Sequence, residues 1–328
     1  MTINPQAHLA QHVFDTAQLK SGGTRDGFGI GLVEAAEADE RVVGLCADLT
    51  ESVRMTAFAE KFPNRFFQVG VAEQNLVTVA SGMAAAGKIP FAGGFAAFSP
   101  GRNWEQIRTT ICYNDQPVKI VGSHTGLSVG EDGATHQMLE DMAIMRVLPN
   151  MVVVVPVDVE QARLATLAIA KDPRPTYIRL TREKFPIFTT PETPFEIGKA
   201  QVLLEGTDVT IVGCGAVLYE ALLAAKALEG EIRVEVINAH TVKPLDAETI
   251  LASVRKTGCV VTIEEHQVIG GLGGAVAELL AEHEPAPLER MGTQDTFGES
   301  GTTIELWKHY GLTSTHIIDR IRTVLKKA

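Results

Sequence analysis

Three clusters of residues hold the side chains that could bind a polar molecule or move a proton. The fullest runs Ser123-His-Thr-Gly-Leu-Ser-Val-Gly-Glu-Asp-Gly-Ala-Thr-His136-Gln, with two histidines, two carboxylates and, counting Gly122, four glycines. A lone histidine is usually structural; two of them with an aspartate in one glycine-rich loop point to a pocket for a polar substrate. The second cluster is Gln68-Val-Gly-Val-Ala-Glu73-Gln, a carboxylate heading an alanine-rich stretch. Taken bare, Glu73 is a first-turn residue favoured by the helix dipole. The third, Phe91-Ala-Gly-Gly-Phe95-Ala-Ala-Phe98, sets an aromatic pair at i, i+3 and by itself reads as core packing.

Short β-branched runs alternate with longer Ala/Leu-rich segments, the pattern of βαβ units around a parallel sheet. In the first half the pattern predicts helices over 25–38, 73–86, 104–114, 139–145 and 159–170, and strands over 42–46, 118–122, 151–155 and 176–180. MVVVV and VKIVG are unbroken apolar runs, as in strands covered on both faces by helices. All three clusters then fall at strand ends or in loops, where open α/β sheets place their sites. Three prolines within 183–196 mark a linker. Beyond it, strands over 209–212, 233–238, 260–264 and 288–291 alternate with helices over 218–228, 246–257 and 274–283, ending in a terminal helix. The expected domains are therefore 1–185 and 199–328, joined by 186–198.

The 328 residues are 45% hydrophobic and 21% charged, which suits two domains with substantial cores. A net charge of -11, from 40 acidic and 29 basic side chains, argues against nucleic acid or an anionic membrane as the main partner. A local basic pocket stays open. Cys46, Cys112, Cys214 and Cys259 form no C-x-x-C pair, so neither a metal site nor a disulfide framework is expected. The first residues lack the features of a secretion signal, and a cytoplasmic protein is expected. GFGIG at Gly27 to Gly31 lies in a helical pattern, and GCGAVL at Gly213 has Leu218 where a third glycine would complete a dinucleotide fingerprint. Both read as structural.

Taken together the clusters resemble the transketolase family, specifically its C-terminal half, over essentially the whole chain and most strongly from Arg25 to Arg182. GVAEQN is similar to the segment whose glutamate bonds N1′ of the thiamine aminopyrimidine, SHTGLSVGEDGATHQ to the histidine loop lining the substrate channel, and FAGGFAAF to the aromatic stretch stacking on the pyrimidine. The resemblance implies two three-layer α/β/α domains with mainly parallel sheets: a thiamine-diphosphate pyrimidine-binding domain and a transketolase C-terminal-like domain. It implies that Glu73, in an apolar setting that raises its proton affinity, drives the aminopyrimidine to its imino form. Phe95, Phe98 and Asp48 would contact the cofactor. His124, Asp132 and His136 would hold substrate hydroxyls and shuttle protons. Arg25, Ser52 and Arg182 match positions that bind the terminal phosphate of sugar phosphates, for which guanidinium forks are suited; the run TREK also reads as a solvated stretch.

Two departures accompany the resemblance. No G-D-G…N segment, the family's grip on Mg²⁺ and the diphosphate, occurs in the sequence, and a tyrosine position of the aromatic stretch is Gly101. The expectation is the second subunit of a split transketolase of the pentose phosphate type, which pairs with an N-terminal transketolase subunit carrying Mg²⁺, as an α2β2 assembly. The alternatives are a 2-oxoacid dehydrogenase E1 β-subunit, a 1-deoxyxylulose-5-phosphate synthase-like enzyme, and a non-catalytic stabilising partner.

Overall fold

A computed structural model describes residues 1–328. The parallel sheet of the first half is built as the apolar runs dictate. Strands Val152–Val154, Thr176–Arg179, Lys119–Ser123, Ile89–Phe95, Val42–Cys46 and Phe66–Gln68 lie side by side in that order, all parallel. Val42–Cys46 and Lys119–Ser123 are buried at every residue, because helices cover both faces of the sheet. Helix Thr24–Ala38 lies against helix Val159–Lys171, and a Cβ on Gly27 would stand 1.9 Å from the Val159 carbonyl oxygen. The GFGIG run therefore serves close helix packing and not a phosphate.

The second sheet runs Gln201–Glu205, Val234–Asn238, Val209–Gly213, Val260–Gln267 and Leu288–Thr293, parallel apart from its first pair. Two short strands depart from the expected division of the chain. Thr2–Ile3 pairs antiparallel with Gln201–Glu205 at the edge of the second sheet. Thr241–Lys243 pairs antiparallel with Val152–Val154 at the edge of the first. The proline-rich stretch is docked as well. The Asp158 carboxylate accepts the N–H groups of Phe188 and Thr189 at 2.8 and 2.7 Å, and Phe188 is fully buried. One hydrophobic cluster joins Leu127, Val157 and Phe188 to Leu218, Ile263 and Trp307, so the apolar core is continuous from the first half into the second.

Some elements differ from the sequence expectation. Ile89–Phe95, to which the sequence pattern assigns no strand, is a central strand of the first sheet. The expected helix over 104–114 is a single α-turn, Trp104–Gln106, that widens into a π-helix over Ile107–Cys112. All four cysteines are buried and free, no group of three or more His, Cys, Asp or Glu could hold a metal ion, and no helix is long and apolar enough to cross a membrane.

Candidate active site

Four neighbouring strands of the first sheet deliver the candidate residues from their C-terminal ends, the edge at which open α/β sheets bind ligands. Asp48 and Ser52 follow Val42–Cys46, Phe98 follows Ile89–Phe95, the histidine loop follows Lys119–Ser123, and Arg182 follows Thr176–Arg179. Glu73 opens helix Glu73–Ala85, with the strand Phe66–Gln68 leading into it. Arg25 sits in the first turn of helix Thr24–Ala38. Asp48 and His124 both hold left-handed backbone, at φ 61° and 56°, a conformation that costs energy in a non-glycine residue and tends to collect at functional sites.

The three sequence clusters meet. The Phe95 ring stacks on the His124 imidazole with centroids 3.7 Å apart and lies 6.4 Å from Phe98, nearly parallel to it. Phe98 in turn meets the edge of His136 at 5.6 Å. Glu73 is buried, but its surroundings differ from the apolar setting expected. Its Oε2 accepts from Arg102 Nη1 at 2.9 Å, and the Arg102 guanidinium lies 5.1 Å from the centroid of Phe98. Arg102, next to the altered Gly101 position, was not singled out by sequence, because its partner is 29 residues away. Asn103 completes the corner by donating to the Glu73 carbonyl at 2.8 Å.

His124 is 4% exposed, and its proton affinity is pulled down to about 3, first by burial and then by the nearby charges of Arg25 and Arg182. The imidazole is therefore neutral. Arg25 Nη1, which can only donate, stands 3.3 Å from Nε2, so Nε2 accepts and the ring proton sits on Nδ1, 2.9 Å from Ser123 Oγ. As placed, the one acceptor of His124 is engaged by Arg25 and its one ring proton lies against Ser123, so the ring can serve a substrate hydroxyl only where Arg25 Nη1 gives way. His136 is half-buried, with Nδ1 2.9 Å from Thr135 Oγ1.

Arg25 Nη1 also donates to the Ser52 carbonyl at 2.8 Å, whereas its Nε is buried with no partner in the chain. An orphaned buried donor of this kind suits an anion. Arg182 is bound to the histidine loop instead of standing free: Nη1 donates to Val129 O at 3.0 Å and lies 3.5 Å from Asp132 Oδ2. Asp132 thus spends part of its charge on Arg182. Arg54, absent from the sequence reading, joins this group with its Nε 2.6 Å from Asp26 Oδ1. Asp48 is exposed, and its N–H donates to Gln68 Oε1 at 2.7 Å, which ties the loop of Asp48 to the segment that leads to Glu73.

Comparison with known proteins gives the family of the chain. Residues 21–187 match the family profile described as transketolase, pyrimidine binding domain, and residues 198–317 that of the transketolase C-terminal domain. The chain is 45% identical to the 6-deoxy-6-sulfo-D-fructose transketolase subunit SqwH of a Clostridium species, over 90% of this chain and 92% of that one. It is 36% identical to one of the subunits of the apulose-4-phosphate transketolase of Phocaeicola vulgatus, over 90% of this chain and 95% of that one. A solved split-gene transketolase, described as an inactive beta4 tetramer, superposes with a TM-score of 0.87 at 47% identity, covering 93% of this chain and 98% of its own.

Proposed function

This chain belongs to the transketolase family, carrying its pyrimidine-binding and C-terminal domains, and from that membership we propose that it is the C-terminal subunit of a split thiamine-diphosphate-dependent transketolase. The reaction is transfer of a two-carbon ketol unit from a ketose to an aldose, each bearing an anion at its far end. The single observation that carries this reading is the convergence of Glu73, Phe95, Phe98, His124, His136 and Arg25 at the C-terminal edge of one parallel sheet. Two relatives of this size are named for a sulfosugar and a sugar phosphate, and Arg25 with its unpartnered Nε suits either kind of anion.

The residues fit the pyrimidine end of the cofactor. Glu73 would face the ring nitrogen, Phe95 and Phe98 would flank the ring, and Asp48 would stand on the thiazolium side. When bound, thiamine diphosphate supplies the carbon nucleophile and stores the electron pair released by C–C cleavage. The protein's own groups orient substrate and handle protons. Arg102 must yield or share the Glu73 carboxylate for that carboxylate to reach the cofactor. His124 Nε2 would accept from a substrate hydroxyl that displaces Arg25 Nη1 from it, with Phe95 fixing the plane of its ring. His136, half-exposed at the mouth of the cluster, is the group left to exchange protons with solvent. Arg25 anchors the far anion, and Arg182 holds Asp132 and the loop about it.

The G-D-G…N segment does not occur in this sequence, and in this reading a partner subunit would supply the grip on the diphosphate and Mg²⁺. Val71, two residues before Glu73, is 71% exposed, and Phe67 is 37% exposed, so an apolar rim beside the site is left for a partner to cover. An α2β2 assembly, a cytoplasmic location and a role in pentose phosphate interconversion complete the proposal. The test is reconstitution. The purified chain with thiamine diphosphate, Mg²⁺ and sugar phosphates should be inactive, and a partner carrying G-D-G…N should restore ketol transfer. Robust turnover by the single chain would overturn the proposal.

A further inference from the structure

The histidine loop leaves the first sheet at Ser123 and rejoins regular structure at Asp141, and much of what holds it comes from the second half of the chain. At its base the N–H and hydroxyl of Thr125 both reach Leu180 O, at 3.3 and 3.0 Å. Its middle is a short helix, Leu127–Asp132. There the N–H and the hydroxyl of Ser128 both donate to one carboxylate, that of Glu265, the first to Oε1 and the second to Oε2 at 3.1 Å. Gly126 turns with φ 77°, and a Cβ at that position would stand 2.6 Å from Glu265 Cδ, so the carboxylate fills the hollow of the turn.

Glu265 belongs to strand Val260–Gln267 of the second sheet and is 3% exposed. A carboxylate is costly to bury, and burial pushes this one above the usual range, with Arg179 and the Ser128 donors acting in the opposite direction. Buried Arg179 ties the same elements together: Nη2 donates to the Glu265 carbonyl at 2.9 Å and Nε to Asp141 Oδ2 at 2.7 Å. Gln137, adjacent to His136, adds a second tether by donating to Leu127 O at 3.2 Å and to Glu299 O of the second domain at 2.9 Å. An apolar side chain would have covered the loop equally well. A buried carboxylate that accepts from two groups of one residue gives it a direction.

We infer that Glu265 is a positioning residue: from the second domain it sets the height of the histidine loop above the first sheet, and with it the placement of Asp132 and His136. The kinetic consequence rests on the transketolase reading, and the geometric one does not.

Hydrogen–deuterium exchange on the full chain reads the geometry without substrate or partner. In Glu265→Ala, amides of 126–137 should exchange roughly ten- to a hundredfold faster, the loss expected for bonds to a charged acceptor, while strand Val209–Gly213 keeps its protection. Glu265→Gln, whose oxygen can take the amide and whose nitrogen can donate to Ser128 Oγ, should restore most of it. In the two-subunit complex the alanine variant should lose roughly tenfold or more in kcat/KM for sugars with unchanged affinity for thiamine diphosphate, and the glutamine variant should recover it. Unchanged exchange in 126–137 would overturn the proposal. So would equal loosening of Val209–Gly213, or a glutamine variant no better than alanine. Should the alanine variant not fold, Ser128→Ala must still speed exchange in 126–137 relative to Val209–Gly213, and no change there overturns the proposal. A wild-type complex without ketol transfer would sink the functional reading and leave the exchange result standing.

Discussion

Arg25→Gln removes the guanidinium, and its amide, two bonds shorter, also gives up the bond from Nη1 to the Ser52 carbonyl. In the structure only Nη1 is committed, to Ser52 O at 2.8 Å and His124 Nε2 at 3.3 Å. Nε is buried without a partner, which leaves the side-on pair of Nε and Nη2 as a fork for an anion. Burial first, and then the neighbouring charge of Arg54, hold the Arg25 proton affinity below its ordinary value, so positive charge converges here at a cost that a bound anion would offset. A charge-assisted contact is worth about 1.5–3 kcal/mol, and about 1.4 kcal/mol is a factor of ten. Loss of the fork should therefore lower kcat/KM for a phosphorylated acceptor roughly ten- to a hundredfold. A short unphosphorylated aldehyde never makes that contact and should change by less than about threefold, within the scatter of a lost neutral hydrogen bond. The assay compares the two acceptors in the reconstituted complex, with melting temperature and thiamine diphosphate affinity as controls. Equal losses for both acceptors would refute the reasoning and assign Arg25 to holding Ser52 and His124 in place. The selective loss would also separate a sugar-phosphate transketolase from the dehydrogenase alternative.

Glu73→Gln should lower turnover of the complex by about a hundredfold or more, the low end for an acid–base group, while leaving the melting temperature unchanged because Arg102 is 52% exposed and can turn to water; near-normal turnover would return Glu73 to a helix-start role. His124 is neutral across the working range, with its proton affinity down at about 3, so His124→Gln should reduce kcat/KM without altering the shape of its profile between roughly pH 5 and 8; a new inflection would contradict the assigned tautomer. Buried His240 is likewise pulled down to about 3 from 6.5, chiefly by burial. The unfolded chain then binds the extra proton between those values, and stability falls as pH drops through that window. Denaturant unfolding of His240→Gln between roughly pH 6 and 4 should show a slope shallower by about 1.4 kcal/mol per pH unit, and an unchanged slope would refute the assignment.

What could be read from sequence was whatever a local pattern encodes. Val42–Cys46 and helix Val159–Lys171 come from unbroken or 3.6-periodic apolar runs, and their ends fall within a residue of the expectation. Ile89–Phe95 escaped because Pro90, Gly93 and Gly94 break the apolar signal of a strand whose place is set by its neighbours on both sides. Thr2–Ile3 and Thr241–Lys243 are too short to carry any pattern, and only the edge each one meets makes it a strand. Three prolines suggested a loose connection over 183–196, yet the acceptor that docks it, Asp158, lies about thirty residues earlier. The site divides in the same way. The residue types at Glu73, His124, His136 and Arg25 were legible, because chemistry restricts what can stand there. The pairing of Glu73 with Arg102 and of Ser128 with Glu265 was not, since each is a contact between distant segments that neither segment announces.

The crossed edge strands bear on how substrate enters. A protease that nicked the stretch between the two domains would leave two fragments still laced together, one by Thr2–Ile3 in the second sheet and the other by Thr241–Lys243 in the first. Breaking the chain and parting the halves are thus separate events. Neither half carries its sheet complete, and with a continuous apolar core beneath them the pair should melt in a single transition. Such a body has no hinge between its halves, so a sugar must reach the tethered histidine loop through an opening that is already there.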